Sequence, residues 1–233
     1  MRQGQIILSI GGGGFTHGTD PDLDDFCLQF LPSRPAIGYL GWANKDDETR
    51  LLRFYARFEH QAGSLSHLPL GASPAQVRAW VQGKDLIYLG GGNTSDLIAA
   101  IQAAGALPIL QSANNAGCVL AGVSAGGVCW FDWILSDSGG RGYEPIAGLS
   151  LAKGGICPHF SSEPDRKAKF EHSLLERRGG TAIAVDDSAC LVTLNGIARS
   201  YFSARSDRAA HSLAVQAGFF TYNRLPEFSA DCV

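Results

Sequence analysis

The chain has 233 residues, 45% of them hydrophobic and 18% charged, with a formal net charge of -3 and a pI near 6.0. That length and apolar content suit a single large domain, 1–233, with a sizeable core. No basic stripe invites nucleic acid, and no apolar run approaches the ~20 residues that a membrane span needs.

The start, Met1 to Gln5, leads directly into Ile6-Ile7-Leu8-Ser9-Ile10, too short for a signal segment and readable as a first strand. Six cysteines (27, 118, 129, 157, 190 and 232) form no Cys-x-x-Cys pair, and several sit in apolar segments. Reduced, buried thiols in a cytoplasmic protein are the expectation. Short apolar runs then alternate with amphipathic stretches. The predicted strands are 5–10, 36–41, 64–68, 85–89, 118–122 and 182–186, with others near 189–194 and 197–203. The predicted helices are 20–30, 46–61, 74–82, 94–104, 107–115, 125–134 and 164–177. This alternation predicts an α/β fold with a mainly parallel sheet and helices on both faces. Beyond about residue 205 the pattern weakens to strand plus loop.

Three glycine clusters fall at predicted strand ends, where ligands bind in such sheets. Gly11–Gly14 is followed by Phe15-Thr16-His17-Gly18-Thr19-Asp20-Pro21 rather than by a helix. It therefore fails the dinucleotide fingerprint and reads as a rim loop; no cofactor is expected. Gly90-Gly91-Gly92-Asn93-Thr94 stands between a strand and a helix, with backbone N–H groups free to face a developing negative charge. The third, Gly122-Val123-Ser124-Ala125-Gly126, has the Gly-x-Ser-x-Gly form of a strand-to-helix turn that lifts a serine clear of the sheet. Such an elbow takes one oxyanion N–H from the residue after the nucleophile, here Ala125. The second comes from another loop, for which Gly92 is the candidate.

A serine needs a base. Of six histidines, His159 ends the apolar run Gly155-Ile156-Cys157-Pro158 and so sits at a strand end. His17 belongs to the first glycine loop, and His172 to a charged helix face. The orienting acid has two sources. Asp186-Asp187 follows the run Ala182–Val185, and Asp137 follows the nucleophile helix. No three-ligand metal spacing appears.

Taken together, Leu89-Gly90-Gly91-Gly92-Asn93-Thr94, Ala121-Gly122-Val123-Ser124-Ala125-Gly126 and Cys157-Pro158-His159-Phe160 resemble the peptidase E family (S51) of serine peptidases, which includes aspartyl dipeptidases and the related cyanophycinases. The resemblance implies a fold akin to class I glutamine amidotransferases, with serine where those carry cysteine. It implies Ser124 as nucleophile, His159 as base, and Gly92 and Ala125 as the oxyanion hole. Asp187 stands where the family often has glutamate, which favours it over Asp137, with Asp186 as its neighbour. Two departures follow: an acid one methylene shorter, and a shorter segment after Pro-His, in which Arg166 is the nearest match to the arginine that holds a substrate aspartate. Asn93 and Arg166 are the substrate-binding candidates, and Glu163 or Asp165 could occupy the guanidinium. The expected function is hydrolysis of short peptides, including dipeptides with an N-terminal Asp, through an acyl-enzyme. The alternatives are a catalytically weak binding protein and a cyanophycinase-like exopeptidase. The expected partner is a small peptide; a homodimer is left open, and neither nucleic acid nor membrane is expected.

Overall fold

A computed structural model of the chain describes residues 4–177, 180–216 and 218–229. The elements run β1 Ile6–Ile10, α1 Gly14–His17, α2 Asp22–Leu28, β2 Ala36–Leu40, a 3-10 turn at Trp42–Asn44, α3 Glu48–Phe58, β3 Ser64–His67, α4 Pro74–Val81, β4 Leu86–Leu89, α5 Thr94–Ala103, α6 Leu107–Asn115, β5 Val119–Val123, α7 Ala125–Val128, β6 Trp133–Ser136, β7 Glu144–Ala147, β8 Gly155–Cys157, α8 Arg166–Glu176, β9 Ala182–Val185, β10 Ala189–Leu194, β11 Ile197–Ser203, β12 Ala210–Gln216 and β13 Phe219–Arg224.

The strands form two sheets rather than the one mainly parallel sheet predicted. The first has seven strands in the order β11-β10-β1-β5-β4-β2-β3, and the second has six in the order β13-β12-β9-β8-β6-β7. Both are mixed: β1, β5, β4, β2 and β3 are parallel, and so are β9, β8 and β6, while β10–β11, β12–β13 and β7 add antiparallel edges. The sequence shows β9 but conceals the sheet it joins, because β6, β7 and β8 are only three or four residues long and, among the described residues, α8 is the one helix between the sheet's strands.

Alternation along the first sheet fixes its two faces. Ile6, Leu8 and Ile10 of β1 join Leu86 and Tyr88 of β4 and Val119, Ala121 and Val123 of β5 under Phe15, Phe26, Phe54 and Phe58. On the other face Ile7, Ile87, Leu89 and Leu120 pack against Leu97, Ile101 and Leu110 of α5 and α6. The same cluster takes in Ile134, Ile156, Ile183 and Val185 from the second sheet. The far side of that sheet buries Trp133, Leu135, Cys157 and Ala184 against Phe170 and Leu174 of α8. The layers are therefore helix, sheet, helix and sheet together, then helix.

The predicted helix 125–134 is also corrected. It stops after one turn at Val128, and Trp133–Ser136 continues as β6. Gly126 and Gly127 give the turn little intrinsic helix preference, and Trp133 and Leu135 alternate with Ile134 between two apolar surroundings. Asp137 thus follows a strand. Five of the cysteines carry free, buried thiols; Cys232 lies outside the described residues. Among the described residues, no single helix is long and apolar enough to cross a membrane.

Candidate active site

The carboxyl ends of β1, β4, β5, β8 and β9 bring the glycine loops and the Pro-His and Asp-Asp segments together. Ser124 follows β5 directly, and its N–H donates to Ile10 O of β1 at 2.8 Å. Its backbone is at φ 50°, ψ -121°, a conformation that costs a side-chain-bearing residue about 1–3 kcal/mol and persists only where its surroundings impose it. They do so by close approach. A Cβ on Gly126 would lie 2.1 Å from Leu89 O, and one on Gly122 would lie 2.4 Å from Gly126. The two glycines of the motif let α7 turn back against β4 and β5, leaving Ser124 at the head of the helix.

His159 also has a positive φ, 53°, and stands two residues beyond β8. One ring nitrogen, Nε2, is 2.8 Å from Ser124 Oγ; the other, Nδ1, is 2.5 Å from Asp187 Oδ1. Burial works against ionisation of Asp187. The bond from His159, the nearby Ser162 hydroxyl and the charges of His159 and His17 outweigh it and hold the carboxyl at about 2, below its ordinary 3.8.

The two rival acids are placed elsewhere. Asp186 is buried, and its Oδ2 accepts the Ala209 N–H at 3.0 Å, which ties β9 to the start of β12. Asp137 is exposed and lines the cavity beside Ser124 without bonding to the imidazole. The shorter acid reaches His159 because the first glycine loop closes on it: a Cβ on Gly12 would lie 2.0 Å from Asp187 Oδ1 and 2.9 Å from His159 Cε1. The Ser188 N–H donates to Gly12 O at 2.8 Å. Gly11–Gly14 is therefore a buried, packed support rather than a loose rim. The unbroken glycine run was its only sequence signal.

Two backbone donors stand near Ser124. Ala125 is the first residue of α7, so its N–H has no acceptor within the helix. Gly92, at φ 150°, lines the cavity with Ser124, and among the described residues its N–H meets no acceptor. Neighbouring Asn93 caps α5. Its Oδ1 accepts the Asp96 N–H at 2.9 Å and its Nδ2 donates to Ser138 O at 3.2 Å.

The cavity itself holds about 200 Å³. Arg166 forms part of its wall, buried, with Nε donating to Glu163 Oε2 at 2.8 Å and its guanidinium 4.5 Å from the centre of the Tyr143 ring. The Tyr143 hydroxyl donates to the same Glu163 oxygen. Tyr143 carries no sequence signal, since it comes from the loop ahead of β7. A second cavity of about 240 Å³ is lined by Gly12, His17, Asp20, His159 and Asp187. A roomier depression of about 630 Å³ lies between α4 and α6, at the amino ends of β4 and β5, and holds none of these groups.

Residues 7–200 match Peptidase family S51. Over 210 residues the chain is 34% identical to the "Uncharacterized peptidase YgaJ" of Bacillus subtilis (strain 168), covering 88% of this chain and 90% of that one. Among solved structures, a peptidase from an acI-B1 Actinobacterium superposes with a TM-score of 0.70 at 18% identity, over 97% of both chains. The "Putative Peptidase E Protein" of Listeria monocytogenes EGD-e superposes with a TM-score of 0.60 at 14% identity, over 95% of this chain and 99% of that one. The structural likenesses speak for the α/β fold alone; the family match and the B. subtilis relative carry the assignment, and by them the chain belongs to peptidase family S51 and is a serine peptidase.

Proposed function

We propose that the protein hydrolyses short peptides through an acyl-enzyme on Ser124. The observation that carries this reading is His159 bridging Ser124 and Asp187 at 2.8 and 2.5 Å, the hydrogen-bonded order that a general base requires. Ser124 Oγ attacks the peptide carbonyl while His159 Nε2 takes its proton. Asp187 holds the Nδ1–H tautomer and stabilises the imidazolium. The Gly92 and Ala125 N–H groups bind the oxyanion. As the C–N bond breaks, His159 passes the proton to the leaving amine. Water, deprotonated by His159, then cleaves the ester and frees Ser124.

The cavity of about 200 Å³ suits one side chain rather than an extended polymer segment, which favours a short-peptide substrate. The non-catalytic alternative rests on the shorter aspartate and on the shortened arginine segment; the 2.5 Å contact speaks against the first of these. A preference for N-terminal Asp would depend on Arg166, whose Nε is bound to Glu163. The test is incubation with a dipeptide panel alongside labelling by a fluorophosphonate. Release of free amino acids, with a label on Ser124 that Ser124→Ala abolishes, is the expected result. No turnover of any peptide by a protein that takes no label would sink the proposal.

A further inference from the structure

The cavity beside Ser124 has a charge balance that bears on which peptide it admits. Its charged lining, besides His159, is Asp137, Glu163 and Arg166. Arg166 is already answered. Its Nε is bound to Glu163 Oε2 at 2.8 Å, its Nη1 is 3.5 Å from Leu135 O, and its face lies over Tyr143. Glu163 is the more open member of that pair, 37% exposed at the side chain against 5% for Arg166. Its second oxygen has no partner among the described residues. The Asp137 carboxylate has none either. Two carboxylates against one guanidinium leave the wall with one formal negative charge, and the guanidinium is the buried member.

We propose that this cavity selects a basic side chain on the acyl side of the scissile bond, and that Glu163 is the specificity-determining residue because it neutralises Arg166. A substrate carboxylate would have to compete with Glu163 for the arginine and would meet two like charges on the way. A lysine or arginine side chain would meet them as opposite charges in a confined, partly desolvated site, where Coulomb terms exceed their value in water. The inference rests on the Ser124 reading above only for which residue of the peptide enters the cavity; the selectivity can be read without turnover.

The experiment compares lysyl-leucine, norleucyl-leucine and aspartyl-leucine, whose free α-ammonium is the same throughout. Wild-type kcat/KM should fall in that order, with lysyl-leucine ahead of aspartyl-leucine by about tenfold or more. Glu163→Gln frees Arg166 to bind a carboxylate bidentately, so the order of the lysyl and aspartyl peptides should invert. The exposed Asp137→Asn change should reduce the lysyl preference several-fold without creating an aspartyl one, and it keeps the proposal open to failure if Glu163→Gln does not fold. Titration of the three peptides into Ser124→Ala gives the same ranking by affinity alone. Selective binding of lysyl-leucine with no hydrolysis by the wild type would remove the peptidase reading of Ser124 and leave the selectivity intact. A wild-type preference for aspartyl-leucine, or equal affinities in Ser124→Ala, overturns the proposal.

Discussion

On one side of Ser124 the polar groups form a chain: Nε2 of His159 meets the hydroxyl, Nδ1 meets the Asp187 carboxylate, and Gly12 is packed against both residues. On the other side, charged groups answer one another instead: Glu163 binds Arg166 and Tyr143, and Asp137 stands exposed at the rim. The first arrangement sets a geometry and the second sets a balance. A relay in which each member acts through the next fails as a unit when one is removed, whereas a charge balance shifts by degrees. Substitutions on the two sides should therefore differ in size and in the constant they move.

The largest effect belongs to the proposed nucleophile. Ser124→Ala should lower kcat by about 10⁶-fold and abolish fluorophosphonate labelling, with substrate affinity little changed; residual turnover near wild type would show that the relay is not the reacting group. Next is the contrast between adjacent aspartates. Asp187→Asn should cost about 10⁴-fold in kcat, as expected when the imidazole loses its tautomer control. Asp186→Asn should leave kcat within about tenfold and lower stability instead, because its carboxylate serves the buried Ala209 N–H. Equal losses in the two variants would mean that the assignment between the neighbours is wrong.

Asp187 also gives a pH signature with a definite sign. Its folded value, about 2, lies below the ordinary 3.8, so the ionised form is favoured by folding. Its contribution to stability is present above about pH 4 and is lost as pH falls through 2. Denaturant titrations should therefore show wild type and Asp187→Asn converging as the pH approaches 2.

Gly12→Ala is the next step down. The added Cβ would lie 2.0 Å from Asp187 Oδ1, the end of a side chain that can move, so the fold should survive while the carboxylate is pushed off the imidazole. A misplacement of about 1 Å costs on the order of 10²-fold, and kcat is the constant that should report it. A wild-type kcat would show that the glycine loop merely neighbours the relay.

What could be read in the sequence follows the same division. Ser124, Gly122 and Gly126 are legible because a turn in which a Cβ on Gly126 would lie 2.1 Å from Leu89 O accepts few residue types. His159 and Asp187 are legible as polar residues ending apolar strands. That β8 and β9 belong to a second sheet is not legible, because its neighbouring strand β6 is only four residues long and its apolar positions look like a continuation of the helix. The answer to Arg166 is only half legible. Glu163 is three positions away, but Tyr143 is twenty residues from Glu163, and only the packing of the loop ahead of β7 brings it in.

Asn93 tests where the boundary between the two sides runs. Its place beside Gly92 makes it a candidate for touching substrate, yet both ends of its amide are engaged, by the Asp96 N–H and by Ser138 O. An N-cap of this kind stabilises a helix by about 1 kcal/mol, which for a chain of this size lowers Tm by about 2–4 °C when removed. Asn93→Ala should therefore melt a few degrees early while KM for a good dipeptide stays within about twofold. The capping bond and the bond to Ser138 O hold α5 and the segment after β6 in place, so the loss should be shared by the loop that presents Gly92, and a small fall in kcat would be consistent with that. A rise in KM at unchanged Tm would mean the reverse: that the amide leaves its cap when substrate enters, and that Asn93 belongs to the cavity rather than to the frame around it.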